Sequence, residues 1–79
     1  MVILVNDVDR GVSAGELKAL VEQYHPIEKI DAFTEHHDHR DWRVDIGETD
    51  REVANFVTDR LNGYYWRGSL LNAYCPLYQ

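Results

Sequence analysis

In Arg40-Asp41-Trp42-Arg43-Val44-Asp45-Ile46, charged and apolar side chains alternate from Asp41 onward. A period of two is what a strand with one dry and one wet face requires. Turning Trp42, Val44 and Ile46 toward a core leaves Asp41, Arg43 and Asp45 on the other side. A register shifted by one residue would drive Arg43 and Asp45 inward, and burying two charges without partners costs several kcal/mol. The reading therefore puts a guanidinium, not a ring, at the middle of an open sheet surface.

The neighbouring segments follow outward from this strand. Toward the N-terminus, Glu35-His36-His37-Asp38-His39 is a polar hairpin tip and Ile27 to Thr34 is the strand before it. Leu17, Leu20, Val21 and Tyr24 recur at i, i+3, i+4 and i+7, one apolar helix face. Ser13-Ala14-Gly15-Glu16 has the form of a capping box at its start, and His25-Pro26 ends it. Asp9-Arg10-Gly11 is a turn, and Val2 to Val5 is an apolar, β-branched strand. Toward the C-terminus, Thr49-Asp50-Arg51-Glu52 reads as a second capping box. Val53, Ala54, Val57 and Leu61 then face inward until Asn62-Gly63 stops the helix. Leu70 to Cys75 is the last strand.

This order, β-α-β-β-α-β, predicts an α+β ferredoxin-like sandwich: a four-stranded antiparallel sheet with two helices on one face. Residues 1–75 form the domain and residues 76–79 a short tail. Chemistry is expected on the face that the helices leave free.

With 79 residues there is room for one domain. The lone Cys75 excludes an internal disulfide and suits a reducing compartment, and it reads as a small apolar filler. The apolar start Met1 to Val5 is too short for a signal peptide or a membrane span, so a cytoplasmic protein with no membrane partner is expected. Eight Lys and Arg against fourteen Asp and Glu give a net charge of −6. A negative domain lacks long-range attraction for phosphates and must use a local patch. No glycine-rich phosphate loop, C-x-x-C pair or metalloprotease helix is present, and no enzymatic activity is expected.

Leu61-Asn62-Gly63-Tyr64-Tyr65-Trp66-Arg67-Gly68-Ser69-Leu70-Leu71 resembles the end of an RNA recognition motif (RRM). That family places Leu-Asn-Gly at the end of the second helix, then an aromatic, a spacer and glycine, then the fourth strand. The first half is similar too, with a short strand, a turn ending in Gly-Val-Ser, and a helix finishing in Glu-Gln-Tyr. The resemblance implies an RRM fold and binding of single-stranded RNA on the open sheet, where aromatic rings on the first and third strands stack on bases. This sequence departs from the pattern. Leu4 occupies the aromatic position of the first strand, and Asp41 and Arg43 those of the third. Each base–aromatic stack contributes ~1–3 kcal/mol, so losing the central stacks forfeits roughly 2–6 kcal/mol, or ~30- to 10⁴-fold in affinity.

The candidate RNA-binding set is Leu4, Asn6, Phe33, Arg40, Arg43, Asn72 and Tyr74. Arg43 can stack its guanidinium or pair with a phosphate, and the two asparagines can read base edges. The plainer alternative is that Phe33 and Tyr74 only cover a wet sheet and that the asparagines are ordinary surface amides. The alternative function is a protein-interaction module, with a partner or in self-association, that uses either the acidic sheet face or the corner of Tyr64, Tyr65 and Arg67, while Trp66 reads as core. His36, His37 and His39 with Asp38 suit a metal chemically. Ligands on a mobile hairpin rarely converge without outer support, so a solvated loop and no metal cofactor are expected.

Overall fold

In β3 (His39–Asp45) the alternation is realised as read: Trp42 and Val44 are buried, as is Ile46 just beyond, while Arg43 is exposed. The structure is a computed structural model and describes residues 1–76; residues 77–79 of the expected tail lie outside the described residues. In chain order the elements are β1 (Val2–Asp9), α1 (Ala14–Val21), β2 (Lys29–Glu35), β3, α2 (Arg51–Leu61), β4 (Tyr65–Trp66), β5 (Ser69–Leu70) and β6 (Asn72–Tyr74). The four-stranded sheet has the order β2-β3-β1-β6, and its paired strands are antiparallel. The two helices close one face over a core that includes Ile3, Val5, Leu17, Val21, Trp42, Val44, Ala54, Val57, Leu61 and Leu71. Among the described residues no helix is long and apolar enough to cross a membrane.

β1 runs four residues beyond the expected Val5 because it contains a bulge. Val5 pairs with Trp42 and Val8 with Arg40, so Asn6 and Asp7 together face Asp41. Asp7 sits at φ 64°, a left-handed conformation that aspartate tolerates better than most side chains. The extra residue resets the alternation, so Val8 returns to the core and is fully buried. β2 carries a matching irregularity: Ala32 pairs with Trp42 and Thr34 with Asp41, leaving Phe33 as the extra residue. Both neighbours of β3 therefore bulge beside the same Asp41–Trp42 step.

The two helix starts behave differently. At α1 the Ser13 hydroxyl accepts from the Glu16 N–H at 3.2 Å and a Glu16 carboxylate oxygen accepts from the Ser13 N–H at 3.0 Å, the reciprocal box expected. At α2 the N-cap is Asp50 rather than Thr49, and its side chain makes no capping bond, so the second box does not form. α1 also ends earlier than Tyr24. Its last turn tightens, with the Gln23 N–H on the Leu20 carbonyl and the Tyr24 N–H on the Val21 carbonyl. In α2 the inward face includes Thr58, whose hydroxyl donates to the Ala54 carbonyl at 2.7 Å, whereas Val53 is only half-buried.

Leu61-Asn62-Gly63 has a legible physical role. Leu61 is fully buried, Gly63 takes φ 80° beyond the helix end, and the Asn62 amide oxygen accepts the Ala73 N–H at 3.0 Å. That bond satisfies a donor on β6, an edge strand of the sheet. The expected strand Leu70–Cys75 is divided: Ser69–Leu70 pairs back on Tyr65–Trp66 as a separate hairpin, and only Asn72–Tyr74 joins the sheet. Arg67 and Gly68 at the hairpin tip have φ 49° and 82°, as a two-residue turn of the primed type demands.

Candidate nucleic-acid interface on the open sheet face

Register lines up one row of side chains across all four strands of the sheet. Asp31 on β2 faces Arg43 on β3, Arg43 faces Leu4 on β1, and Leu4 faces Tyr74 on β6. Arg43 follows Trp42 and precedes Val44, both buried, so alternation sends it to the side away from the helices. The next row holds Thr34, Asp41, the Asn6–Asp7 bulge and Asn72. Tyr74 is 48% exposed and Phe33 52%. Leu4, Asn6, Arg43, Asn72 and Tyr74 thus share the open surface, and Phe33 is exposed in the β2 bulge.

The Arg43 side chain makes no ion pair or hydrogen bond with any other described residue. The acids around it are engaged elsewhere. Asp31 lies 3.7 Å from the Lys29 ammonium. Asp41 Oδ1 accepts the Asp7 N–H at 3.3 Å, and its Oδ2 is 2.9 Å from His36 Nε2. Asp45 accepts the Gly47 N–H at 2.8 Å and lies 3.8 Å from the Met1 amino group. Lys29, Asp31, Arg43 and Asp45 line a shallow polar depression at this edge. A cation without a committed partner, beside Leu4 and Tyr74, can pair with a phosphate or lie flat on a base.

Arg40 does not join the array. It is opposite Val8, which is buried, so its Cβ leaves on the helix side of the sheet. Its Nε lies 3.0 Å from Glu35 Oε1. The correction follows from parity, since residues 40 and 42 share one face of a strand.

The aromatic corner is rebuilt by the small hairpin. Tyr65 and Leu70 are cross-strand partners, 69% and 61% exposed, and Tyr64 is 42% exposed. Trp66 packs against the core but is half-buried rather than enclosed. Arg67 is held: its Nη1 is 2.6 Å from Glu16 Oε2, and its guanidinium carbon lies 5.2 Å from the Trp66 ring centre. Nothing in the residue pattern marks Leu70 as a surface residue, because it falls in the run read as a strand.

The histidine hairpin is more ordered than a solvated loop. The His36 and His39 rings stack at 4.2 Å. His39 Nδ1 is 2.7 Å from Asp38 Oδ1, and this bond pushes the His39 pKa up and the Asp38 pKa down. His37 is exposed. Asp7, placed by the bulge, puts Oδ1 3.5 Å from His39 Nε2. The sequence held one signal for this arrangement: Ile3, Val5 and Val8 break their period of two between residues 5 and 8. Cys75 is half-buried, with its thiol 3.9 Å from the Met1 sulfur.

No protein-family model matches the chain, and no curated protein matches it. Solved structures do. Pes4 RRM3 superposes with a TM-score of 0.83 over 99% of this chain and 93% of that one, at 14% identity. The Rna15 RRM with bound RNA (GU) gives 0.77 over 96% and 82%, also at 14% identity. A crystal structure of RNA binding protein PG1 gives 0.78 over 100% and 96%, at 21% identity. The chain therefore has the RRM fold.

Proposed function

We propose that this chain is a binding module for single-stranded RNA, engaging it weakly through the open sheet face. The observation that carries the reading is Arg43: an exposed guanidinium without a partner among the described residues, at the centre of the face, in line with Leu4 and Tyr74. Phe33 and Tyr74 offer stacking surfaces on β2 and β6, and Asn6 and Asn72, themselves cross-strand partners, offer amides to base edges. The fold shared with the Rna15 RRM that has RNA bound supports RNA as the ligand. Low affinity follows from Leu4, Asp41 and Arg43 standing where RRMs present rings, and from a net charge of −6.

Titrating labelled protein with short random-sequence RNA at low salt tests the proposal. Backbone amides of Leu4, Arg43 and Tyr74 should shift together, with helix amides unmoved. Silence of these three amides at millimolar RNA would end it.

A second reading draws on the exposed Tyr65–Leu70 pair beside Tyr64. Such a corner suits a protein partner or a second copy of the chain. A concentration series of the same spectra separates it, because self-association would move Tyr65 and Leu70 without RNA.

A further inference from the structure

We propose that His36, His39 and Asp41, with Asp7 alongside, bind one divalent transition-metal ion of the zinc, copper or nickel class. The inference is independent of whether the open face binds RNA. Side-chain ligand atoms of His36, His39 and Asp41 lie within 4.8 Å of one another. Ligand atoms around a four-coordinate zinc with bonds of about 2.0–2.1 Å are about 3.3 Å apart, so the three side chains need close by no more than about 1.5 Å. Two imidazoles and a carboxylate are a donor set that this class of ion accepts, and the Asp7 carboxylate stands 3.5 Å from His39 Nε2.

The usual objection to ligands on a hairpin tip is the lack of support, and here the support is visible. The His36 N–H donates to the His39 carbonyl at 2.9 Å, and the Arg10 N–H donates to the Asp38 carbonyl at 3.3 Å. Arg10 Nη1 donates to the His36 carbonyl at 3.1 Å. The hairpin is therefore tied to the end of β1. The bulge in β1 supplies Asp7, whose N–H reaches Asp41.

His39 is also held from behind. A carboxylate can only accept, so the bond of 2.7 Å to Asp38 places a hydrogen on His39 Nδ1. In the neutral ring that leaves a lone pair on Nε2, the atom that faces Asp7 Oδ1 at 3.5 Å. Either a proton on Nε2 or a metal ion can supply a positive charge between them, and a metal ion would displace that proton. A carboxylate–histidine pair of this kind orients metal ligands in many proteins. Asp7, Asp38 and Asp41 concentrate negative charge at the site, while the nearby guanidinium groups of Arg10 and Arg40 are both directed to Glu35.

The test is calorimetric titration of tag-free protein with zinc chloride near neutral pH, with ring signals followed by NMR. One equivalent should bind, the His36 and His39 ring signals should shift, and the melting temperature should rise. His36→Gln and Asp41→Asn should each weaken zinc binding by about tenfold or more, whereas His37→Gln should change nothing. Ring signals of His36 and His39 that stay in place under excess zinc would overturn the proposal without any variant. So would binding that survives in the His36→Gln/His39→Gln double variant.

Discussion

Arg43 and Leu4 are cross-strand partners at the centre of the open face, with Tyr74 directly beyond Leu4. An aliphatic side chain thus separates the one uncommitted guanidinium of the row from its one ring. Leu4→Phe should place a second ring beside Tyr74 and raise affinity for short single-stranded RNA by about 5- to 150-fold, the equivalent of ~1–3 kcal/mol for one added stack. Fluorescence anisotropy measures it; unchanged affinity would mean that bases do not lie over Leu4.

Removing the cation should act in the opposite direction. Arg43→Ala is expected to weaken RNA binding about tenfold or more. If Arg43 meets a phosphate, the slope of log K against log salt should also become shallower by about 0.7. Retention of full affinity would remove Arg43 from the interface.

Trp42 separates volume from hydrogen bonding in the core. The ring is 4% exposed, and among the described residues its Nε1 has no hydrogen-bond partner. Trp42→Ala should destabilise by about 3–5 kcal/mol. Trp42→Phe should lose far less, because it also removes a buried donor whose desolvation is uncompensated. Urea unfolding of the three proteins checks the order, and equal losses would contradict it.

The two helix starts predict unequal responses. Ser13→Ala should lose about 0.5–2 kcal/mol, and Thr49→Ala should stay within about 0.5 kcal/mol, since only the first box forms.

The first box also sets a pH dependence. The Ser13 N–H, then the Ser13 hydroxyl, hold the Glu16 carboxyl below its ordinary value of 4.5, with Arg67 adding to the effect. A depressed carboxyl contributes stability that is complete above its unfolded pKa and is lost as pH falls through the folded one. Ser13→Ala keeps the N–H and removes the hydroxyl, so it should move the Glu16 titration midpoint upward, as read from its side-chain carbon signal; an unmoved midpoint would remove the hydroxyl as a cause.

What could be read from the chain, and what could not, divides along physical lines. The Trp42 register was legible because a shift would bury two charges. Ser13–Glu16 was legible because a capping box is local. Thr49–Glu52 has the same spelling, yet the helix there starts one residue later, from Asp50, which only three-dimensional context decides. The bulges escaped because alternation is counted along a strand, and an unpaired residue changes the count without changing composition. Arg40 shows the same limit: its charge suggests the wet face, but its parity matches Trp42 and sends it to the helix side. The separate β4–β5 hairpin was hidden within a continuous apolar run, Leu70-Leu71, whose two members end on opposite sides of the solvent boundary.

The left-handed Asp7 also has a bearing on how related chains should be compared. Residues before it and after it obey opposite odd–even rules, so an alignment without a gap against an unbulged first strand would match Val8 to a solvent position and Asp9 to an interior one. A relative that lacks the insertion should be one residue shorter between its counterparts of Val5 and Val8. Shared ancestry would then show itself only after that single-residue offset is allowed.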